Sequence, residues 1–363
     1  MKYFKAATAI GAISLGVTQS AWAQSSVTLY GSLDVGIAYV SNSGGSPKWI
    51  QEQGNMQPDR WGLVGNEDLG GGLKAVFRLE NGFFTTNGNF SVPGTLWNRQ
   101  AYVGLSSDRF GTLTLGHQTP FNFDWLGGYS TGRLAASFYA FHPGNIDQLA
   151  DTGTVTFNNT VKFRSADYDG FSFGAMLGLG NTTNFSYGRT VSAGVNYTAG
   201  SLSAAAIYSN EHDQPMSIST MGLASFQGIP AAELASYTAD KVETIGSGLS
   251  YQFGKLLVHA LYTHVKLQMG SYSDMYQSYD AGANYQVTAA NTVAGGASTT
   301  TLEGKRWTQF EIGDIYALSK STQLYGNALY ERGTGGANAA LFTTGASSNA
   351  NQVALMVGMH HLF

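Results

Sequence analysis

Charges separated by single apolar residues are the pattern in this sequence most able to act on a solute. In 74–80, Lys74, Arg78 and Glu80 are set against Ala75, Phe77 and Leu79, and in 161–164 Lys162 and Arg164 alternate with Val161 and Phe163. Successive side chains of a strand point to opposite faces, so each segment would offer one charged face and one apolar face. A second set lies in 118–153, where Asp124, Asp147 and Asp151 are embedded among Phe121, Phe123, Trp125, Tyr129, Phe138, Tyr139 and Phe141. Cations on a wall opposite carboxylates, across a narrow opening with low-dielectric sides, create a transverse field that orders polar solutes without holding them. That chemistry is selection and passage. The bland alternative for any one of these charges is a solvated residue with no part in selectivity.

Constellations that would make or break bonds are weaker. Glu211-His212-Asp213 begins a long connection and reads more simply as a solvated loop tip. His360 and His361 are adjacent, and His259 and His264 are an odd number of residues apart, so a strand sends each pair to opposite faces and no metal is shared. Gly70-Gly71-Gly72 precedes a strand and lacks the Lys-Ser/Thr of a phosphate loop, which leaves a tight turn. No catalytic residue, metal site or cofactor is expected. Acidic residues outnumber basic ones, 23 to 19, so no surface for nucleic acid is indicated.

The elements that must position the charges follow from composition. Of 363 residues only 12% are charged, against about 25% in soluble globular proteins, while Gly numbers 47 and Tyr and Phe 20 each. No apolar run reaches the ~18 residues of a membrane helix, and 43% hydrophobic residues are too many to leave solvated in a disordered chain. An all-β, Gly-rich fold remains. At the start, Lys2 and Lys5, an apolar stretch over 6–17, and Ala21-Trp22-Ala23 have the form of a signal peptide, 1–23, with the mature barrel domain at 24–363. An N-terminal membrane anchor is disfavoured because the apolar stretch is short and ends in Thr18-Gln19-Ser20. Zero Cys in an exported chain leaves stability to continuous backbone pairing.

Alternating segments of about ten residues recur along the mature chain. Val27, Leu29, Leu33 and Val35 alternate with mostly polar residues; so do Phe171, Phe173, Ala175, Leu177 and Leu179, then Val191, Val195 and Tyr197, then Val353, Leu355, Val357 and Met359. Over 256–267 both faces are apolar and the phase stays open. Candidate starts near Val27, Arg60, Leu73, Trp97, Gly111, Thr154, Phe171, Tyr187, Leu202, Lys241, Lys255, Asp274, Asn291, Arg306, Ser321 and Asn351 give about 16 strands, within the range of bacterial barrels. Short connections (66–71, 106–111, 165–170, 198–201, 253–255, 288–291, 318–321) fall between longer ones (41–57, 85–96, 118–153, 181–186, 211–240, 269–273, 302–305, 333–349). One-sided loop length is expected of a transmembrane antiparallel β-barrel with periplasmic turns and long extracellular loops. Because a bilayer offers no hydrogen-bond partner, the sheet must close. A soluble β-sandwich would need no one-sided loops and rarely fills 340 residues as one domain, a length of about that order being large for the fold. The connection 118–153 far exceeds the usual ceiling of about 12–15 residues, and packing inside the lumen would shelter its aromatic surface and bring Asp124, Asp147 and Asp151 near the channel. Capping the barrel or packing on a neighbouring subunit are the alternatives.

Val27-Thr28-Leu29-Tyr30-Gly31, Arg60-Trp61-Gly62-Leu63, Glu67-Asp68-Leu69-Gly70-Gly71-Gly72-Leu73-Lys74-Ala75, Arg99-Gln100-Ala101-Tyr102-Val103-Gly104-Leu105 and Phe110-Gly111-Thr112-Leu113-Thr114-Leu115-Gly116 together resemble the general porins of Gram-negative bacteria, the β-proteobacterial branch in particular. The similarity covers essentially the whole mature chain. It implies a homotrimer of 16-stranded barrels in the outer membrane, each passing small hydrophilic solutes and ions by diffusion through a water-filled channel. It also implies contact with outer-membrane lipid and lipopolysaccharide, an inward-folded third loop carrying acidic groups, and a basic ladder on the wall. The resemblance assigns Arg60 and Arg99 to that ladder, although strand phase alone sets Arg99 with Ala101 and Val103. The ending Val357 to Phe363 is similar to the family's last strand, whose terminal Phe is read by the assembly machinery; Phe363 also fits an aromatic girdle.

Three positions depart from the family pattern: Val64 and the segment 156–159 replace cations, and His117 stands where Arg is common, while Arg78 adds a cation where Gln is more usual. A weakened anion preference is therefore expected, with His117 as a titratable lumen group acting below about pH 6.5. Two other functions compete: a substrate-selective channel for aromatic or sugar solutes, and a barrel enzyme such as a protease or phospholipase, for which no convergent residue set is found.

Overall fold

The structure, a computed structural model, describes residues 25–150 and 155–363; the expected signal peptide, 1–23, and Asp151 lie outside the described residues. Its strands are β1 (Ser26–Ser43), β2 (Ser46–Gln53), β3 (Arg60–Gly70), β4 (Leu73–Gly82), β5 (Gln100–Ser107), β6 (Gly111–Gln118), β7 (Phe157–Ser165), β8 (Phe171–Gly178), β9 (Thr190–Ala199) and β10 (Leu202–Pro215). After a two-residue ladder, β11 (Ser225–Phe226) with β12 (Ile229–Pro230), come β13 (Thr238–Phe253), β14 (Leu256–Met269), β15 (Tyr272–Gln286), β16 (Asn291–Leu302), β17 (Lys305–Ala317), β18 (Thr322–Thr334) and β19 (Asn351–Leu362). Each long strand pairs antiparallel with the next, and β19 returns to β1 in the register Ser32↔Leu362 to Val40↔Ala354. Both β2 and β3 pair with β1, so they are two arms of one barrel strand and the circuit has 16 strands. Among the described residues no helix is long and apolar enough to cross a membrane.

Side-chain alternation sorts the wall as the sequence pattern requires. Val27, Leu29, Leu355 and Val357 are exposed on the outside, whereas Ser32, Asp34, Gln352 and His360 are buried inside. The open phase of 256–267 has a physical cause. Val265 and Leu267 point inward, where they pack with Ile218, Met221, Phe226 and Leu234 of the connection after β10, so both faces of this strand meet apolar partners.

Some connections differ from expectation. Within 41–57 the chain forms β2, whose Lys48, Gln51 and Glu52 hide the strand's alternation, and the real interruption is at 54–59. There the Asp34 carboxylate accepts from the backbone N–H groups of Met56 (2.5 Å) and Gln57 (2.9 Å), folding the segment into the lumen. The connections at 269–273 and 302–305, expected among the long ones, are two-residue turns between β14 and β15 and between β16 and β17.

The chain termini of the barrel meet at the seam. Gly31 N–H donates to the Phe363 carbonyl (2.9 Å), and Phe363 N–H returns a bond to Gly31 (3.2 Å), with the Phe363 ring exposed.

After β6, residues 119–150 lie inside the barrel with a series of short helical turns, and a row of wall glycines receives them. Phe121 lies against Gly174, Trp125 against Gly194, Leu126 against Gly246, Tyr129 against Gly248 and Thr131 against Gly296. Successive loop side chains thus travel around the wall from β8 to β16. A β-carbon at Gly194 would sit 2.7 Å from the Trp125 ring, too close for coexistence. Gly194→Leu should therefore lift Trp125 from the wall and destabilise the folded barrel by about 1–3 kcal/mol, as overpacking does. The shift is measurable as a lowered unfolding temperature with faster protease nicking inside 122–150; wild-type resistance in both assays would refute the glycine seat.

Candidate channel constriction

A loop buried in a barrel must find partners for its backbone, because unpaired peptide groups away from water are strongly unfavourable. Wall side chains supply them. Ser192 accepts from the Phe121 N–H (3.1 Å), His259 bonds the Tyr129 carbonyl (2.9 Å), Asn284 donates to the Leu134 carbonyl (2.5 Å) and Asn327 donates to that of Ala135 (3.0 Å). Asp280 accepts from both the backbone N–H (2.8 Å) and the hydroxyl of Thr131.

The deepest fastening is ionic. His142 Nδ1 is 2.6 Å from Asp147 and its Nε2 is 3.6 Å from Asp280 of β15, with all three side chains buried. The Thr263 hydroxyl donates to Asp147 (2.7 Å). Burial alone would push the imidazole down, but the two carboxylates override it and raise its pKa to about 10. Asp147, expected near the channel, is thus a clasp between loop and wall. Asp124 is likewise engaged: it pairs with Lys162 and accepts from the Thr119 hydroxyl (2.6 Å).

Across from the loop, Arg99 Nε donates to Glu80 (2.7 Å), Arg60 Nε lies 3.9 Å from the same carboxylate, and the Tyr30 hydroxyl donates to it (2.5 Å). Arg60 also donates to Gln57 (2.8 Å) in the interruption between β2 and β3. Arg78 stands 5.6 Å over the Tyr30 ring. Gln57, Arg60, Arg78, Glu80 and Arg99, with the loop's Phe123 and Arg133, line one cavity of about 380 Å³. Arg99 reaches this wall because it precedes β5 and escapes the strand's alternation, which is why phase alone misassigned it.

The remaining cations rest on loop rings. Lys162 Nζ lies 4.9 Å from the Phe121 ring, Arg164 5.7 Å from that of Trp125 and Arg133 5.7 Å from that of Phe123. Phe121, Phe123 and Trp125 therefore orient three cations through their π faces. Lys74 is inward-facing but does not join the group: it pairs with Asp108 (3.1 Å) at the turn after β5, both side chains being exposed. His117 requires a correction. Thr114 and Gln118 bond each other on the inner face, and His117 falls on the face of the exposed Leu113 and Leu115, bonding Asn158 (2.8 Å). It is not a lumen group, because alternation along β6 turns it outward.

Sequence reasoning missed Arg133, His142 and Asp280. Arg133 was visible as the one basic residue of 122–150. His142 and Asp280 carried no local signal, since their pairing joins segments far apart in the chain.

The Gram-negative porin model matches residues 6–336. The chain belongs to the Gram-negative porin family. An outer membrane porin protein of Bordetella pertussis is 29% identical over 97% of this chain and 98% of its own length. Outer membrane porin protein 32 of Delftia acidovorans is 30% identical over 96% of this chain and 97% of its own. Among solved structures, an anion-selective porin from Comamonas acidovorans superposes with a TM-score of 0.77, at 26% identity, covering 94% of this chain and all of its own. This porin is a passive channel of the outer membrane of Gram-negative bacteria.

The raised His142 pKa gives the clasp a pH dependence. Stabilisation from the charged imidazole is full below the unfolded value near 6.5 and is lost as pH rises through about 10. Protease nicking within 122–150 should increase between pH 7 and pH 10 in this porin, roughly following that titration. In His142→Gln the nicking should be high already at neutral pH and nearly flat. Identical pH profiles for the two proteins would rule the clasp out.

Proposed function

We propose that this porin passes small anions in preference to cations, with Arg60, Arg78, Arg99 and the loop's Arg133 forming the selective passage. Lys162 and Arg164 continue the basic wall, Lys74 marks its rim, and Glu80 orders the arginines. The observation that carries this reading is the use of the loop's acids among the described residues: Asp124 and Asp147 are bound up in fastening, while four arginines, Arg60, Arg78, Arg99 and Arg133, line one cavity with Glu80 as its acidic group. The expected weakening of anion preference counted His117 as a lost lumen cation. Its outward face removes that loss, and Arg133 adds a cation. The anion-selective relative from Comamonas acidovorans supports the same preference.

We further infer a homotrimer, surrounded by outer-membrane lipid and lipopolysaccharide, and inserted by assembly machinery that reads Phe363. The exposed outer belt and the position of Phe363 at the barrel seam support both parts of this reading.

Reversal potentials in planar bilayers under a potassium chloride gradient test the selectivity. The expected sign is that of chloride preference. Arg78→Gln and Arg133→Gln should each lower the chloride-to-potassium permeability ratio, by up to about thirtyfold, the factor for ~1 kcal/mol of attraction lost by chloride together with ~1 kcal/mol of repulsion lost by potassium at ~4 Å in water. A cation-selective wild type would overturn the proposal.

A further inference from the structure

We propose that the passage transiently binds planar aromatic carboxylates in preference to saturated carboxylates of equal charge and size. This rests on the anion-preferring reading above and adds the chemical class that the passage favours.

Two kinds of surface face one another in the cavity of about 380 Å³, a volume within the range of small-molecule sites. One side is guanidinium. Its capacity for carboxylates is already demonstrated by Glu80, held at 2.7 Å by Arg99 and at 3.9 Å by Arg60. Arg78 has capacity to spare: among the described residues its buried Nε has no hydrogen-bond partner. Its guanidinium carbon lies 5.6 Å from the centre of the Tyr30 ring, and burial of Nε leaves the terminal Nη groups as the donors within a solute's reach. A carboxylate entering the cavity meets those Nη groups, which can donate charge-assisted hydrogen bonds to it.

The other side is aromatic. Phe123 and Phe138 are half-buried and line the same cavity. Phe138 does not move freely, because its ring centroid is 5.4 Å from Phe141 and 5.3 Å from Phe342 in a packed block. Phe123 is likewise held under Arg133 at 5.7 Å. Rings left facing water at the narrow point of a hydrophilic channel raise the barrier for simple ions. For a solute that carries its own ring the same surface is a partner, through offset or edge-to-face contact.

The surface also has an approach. A neighbouring cavity of about 260 Å³ shares Arg99 and Phe138 with the first and adds Phe83 and Phe84 from the connection after β4, on the loop side. Arg99 and Phe138 thus face both chambers, and the second also carries the carboxylates of Glu52 and Asp59, so the guanidinium-rich first chamber is the one that favours a carboxylate. Release remains fast because neither chamber encloses the solute, as a channel requires.

Bilayer recordings of the full-length porin test this with benzoate, cyclohexanecarboxylate and acetate, each added to a potassium chloride bath. Benzoate should halve the chloride current at a concentration about threefold or more below that needed with cyclohexanecarboxylate, the increment expected of one ring–ring contact. Acetate should be the weakest. Phe138→Leu, at a ring that carries none of the cations, should narrow the difference between the two ring acids, and Arg78→Gln should weaken block by both. Equal block by benzoate and cyclohexanecarboxylate in the wild type overturns the aromatic inference whether or not the variants assemble, and leaves anion preference standing. Loss of chloride preference in the wild type overturns the underlying reading instead.

Discussion

Peptide groups removed from water must be paired, and this single requirement acts twice in the porin. In the bilayer it forces the strands into a closed circuit, with β19 returning to β1. Inside the lumen it acts again, on a loop whose backbone has left bulk water. The first case is met by strand pairing. The second is met by inward-facing side chains, such as Ser192, His259, Asn284 and Asn327, which bond loop backbone groups one by one. The barrel wall is thus both a membrane seal and a bed of partners for a non-repetitive segment.

That second role reorganises the charges. A carboxylate used as a fastener is lost to the solute path, since its field is spent on the cation or donors that hold it. Asp147 between His142 and Thr263, and Asp124 beside Lys162, are of this kind. Glu80 has the same character on the wall, fixing Arg99 and Arg60 in place. What faces the cavity is then dominated by guanidinium groups, two of them (Arg78 and Arg133) standing over rings and two (Arg60 and Arg99) held by Glu80. The acidic balance of the whole chain, 23 to 19, is therefore a poor guide to the charge that a permeating ion meets. Local geometry outweighs net charge here because solvent and salt screen the distant residues.

Legibility followed the range of the interaction that decides each feature. Strand alternation is local, and segments such as 171–179 and 353–359 displayed it plainly, so most strand starts lay within a few residues of their places. Alternation failed where a strand meets apolar partners on both faces, as at Val265 and Leu267, and where polar residues mask it, as in β2. The long aromatic loop was visible as an anomaly of length and composition. Its path was not, because the glycines that seat it occur on separate strands, and each alone looks like an unremarked small residue. His117 is a different case: the resemblance, with Arg common at its position, suggested the lumen, whereas the local phase carried by Leu113 and Leu115 turns it outward. The pairing of His142 with Asp280 joins positions with no sequence relation, so nothing short of the fold itself reveals it.

The separation of fastening groups from lining groups has a consequence for how such a channel changes. Gly174, Gly194 and Gly246 set where the loop lies, whereas Arg78, Arg133 and Phe123 set what the passage offers a solute. These sets share no residue, and the seat lies behind the loop while the lining lies in front of it. Exchanging a lining residue leaves the backbone pairing of the loop untouched, so charge and aromatic character are free to vary without loss of the constriction. Exchanging a seating glycine moves the whole loop and alters every lining contact at once. Bore and chemistry are in this sense carried by different parts of one wall, and only the second can be tuned residue by residue.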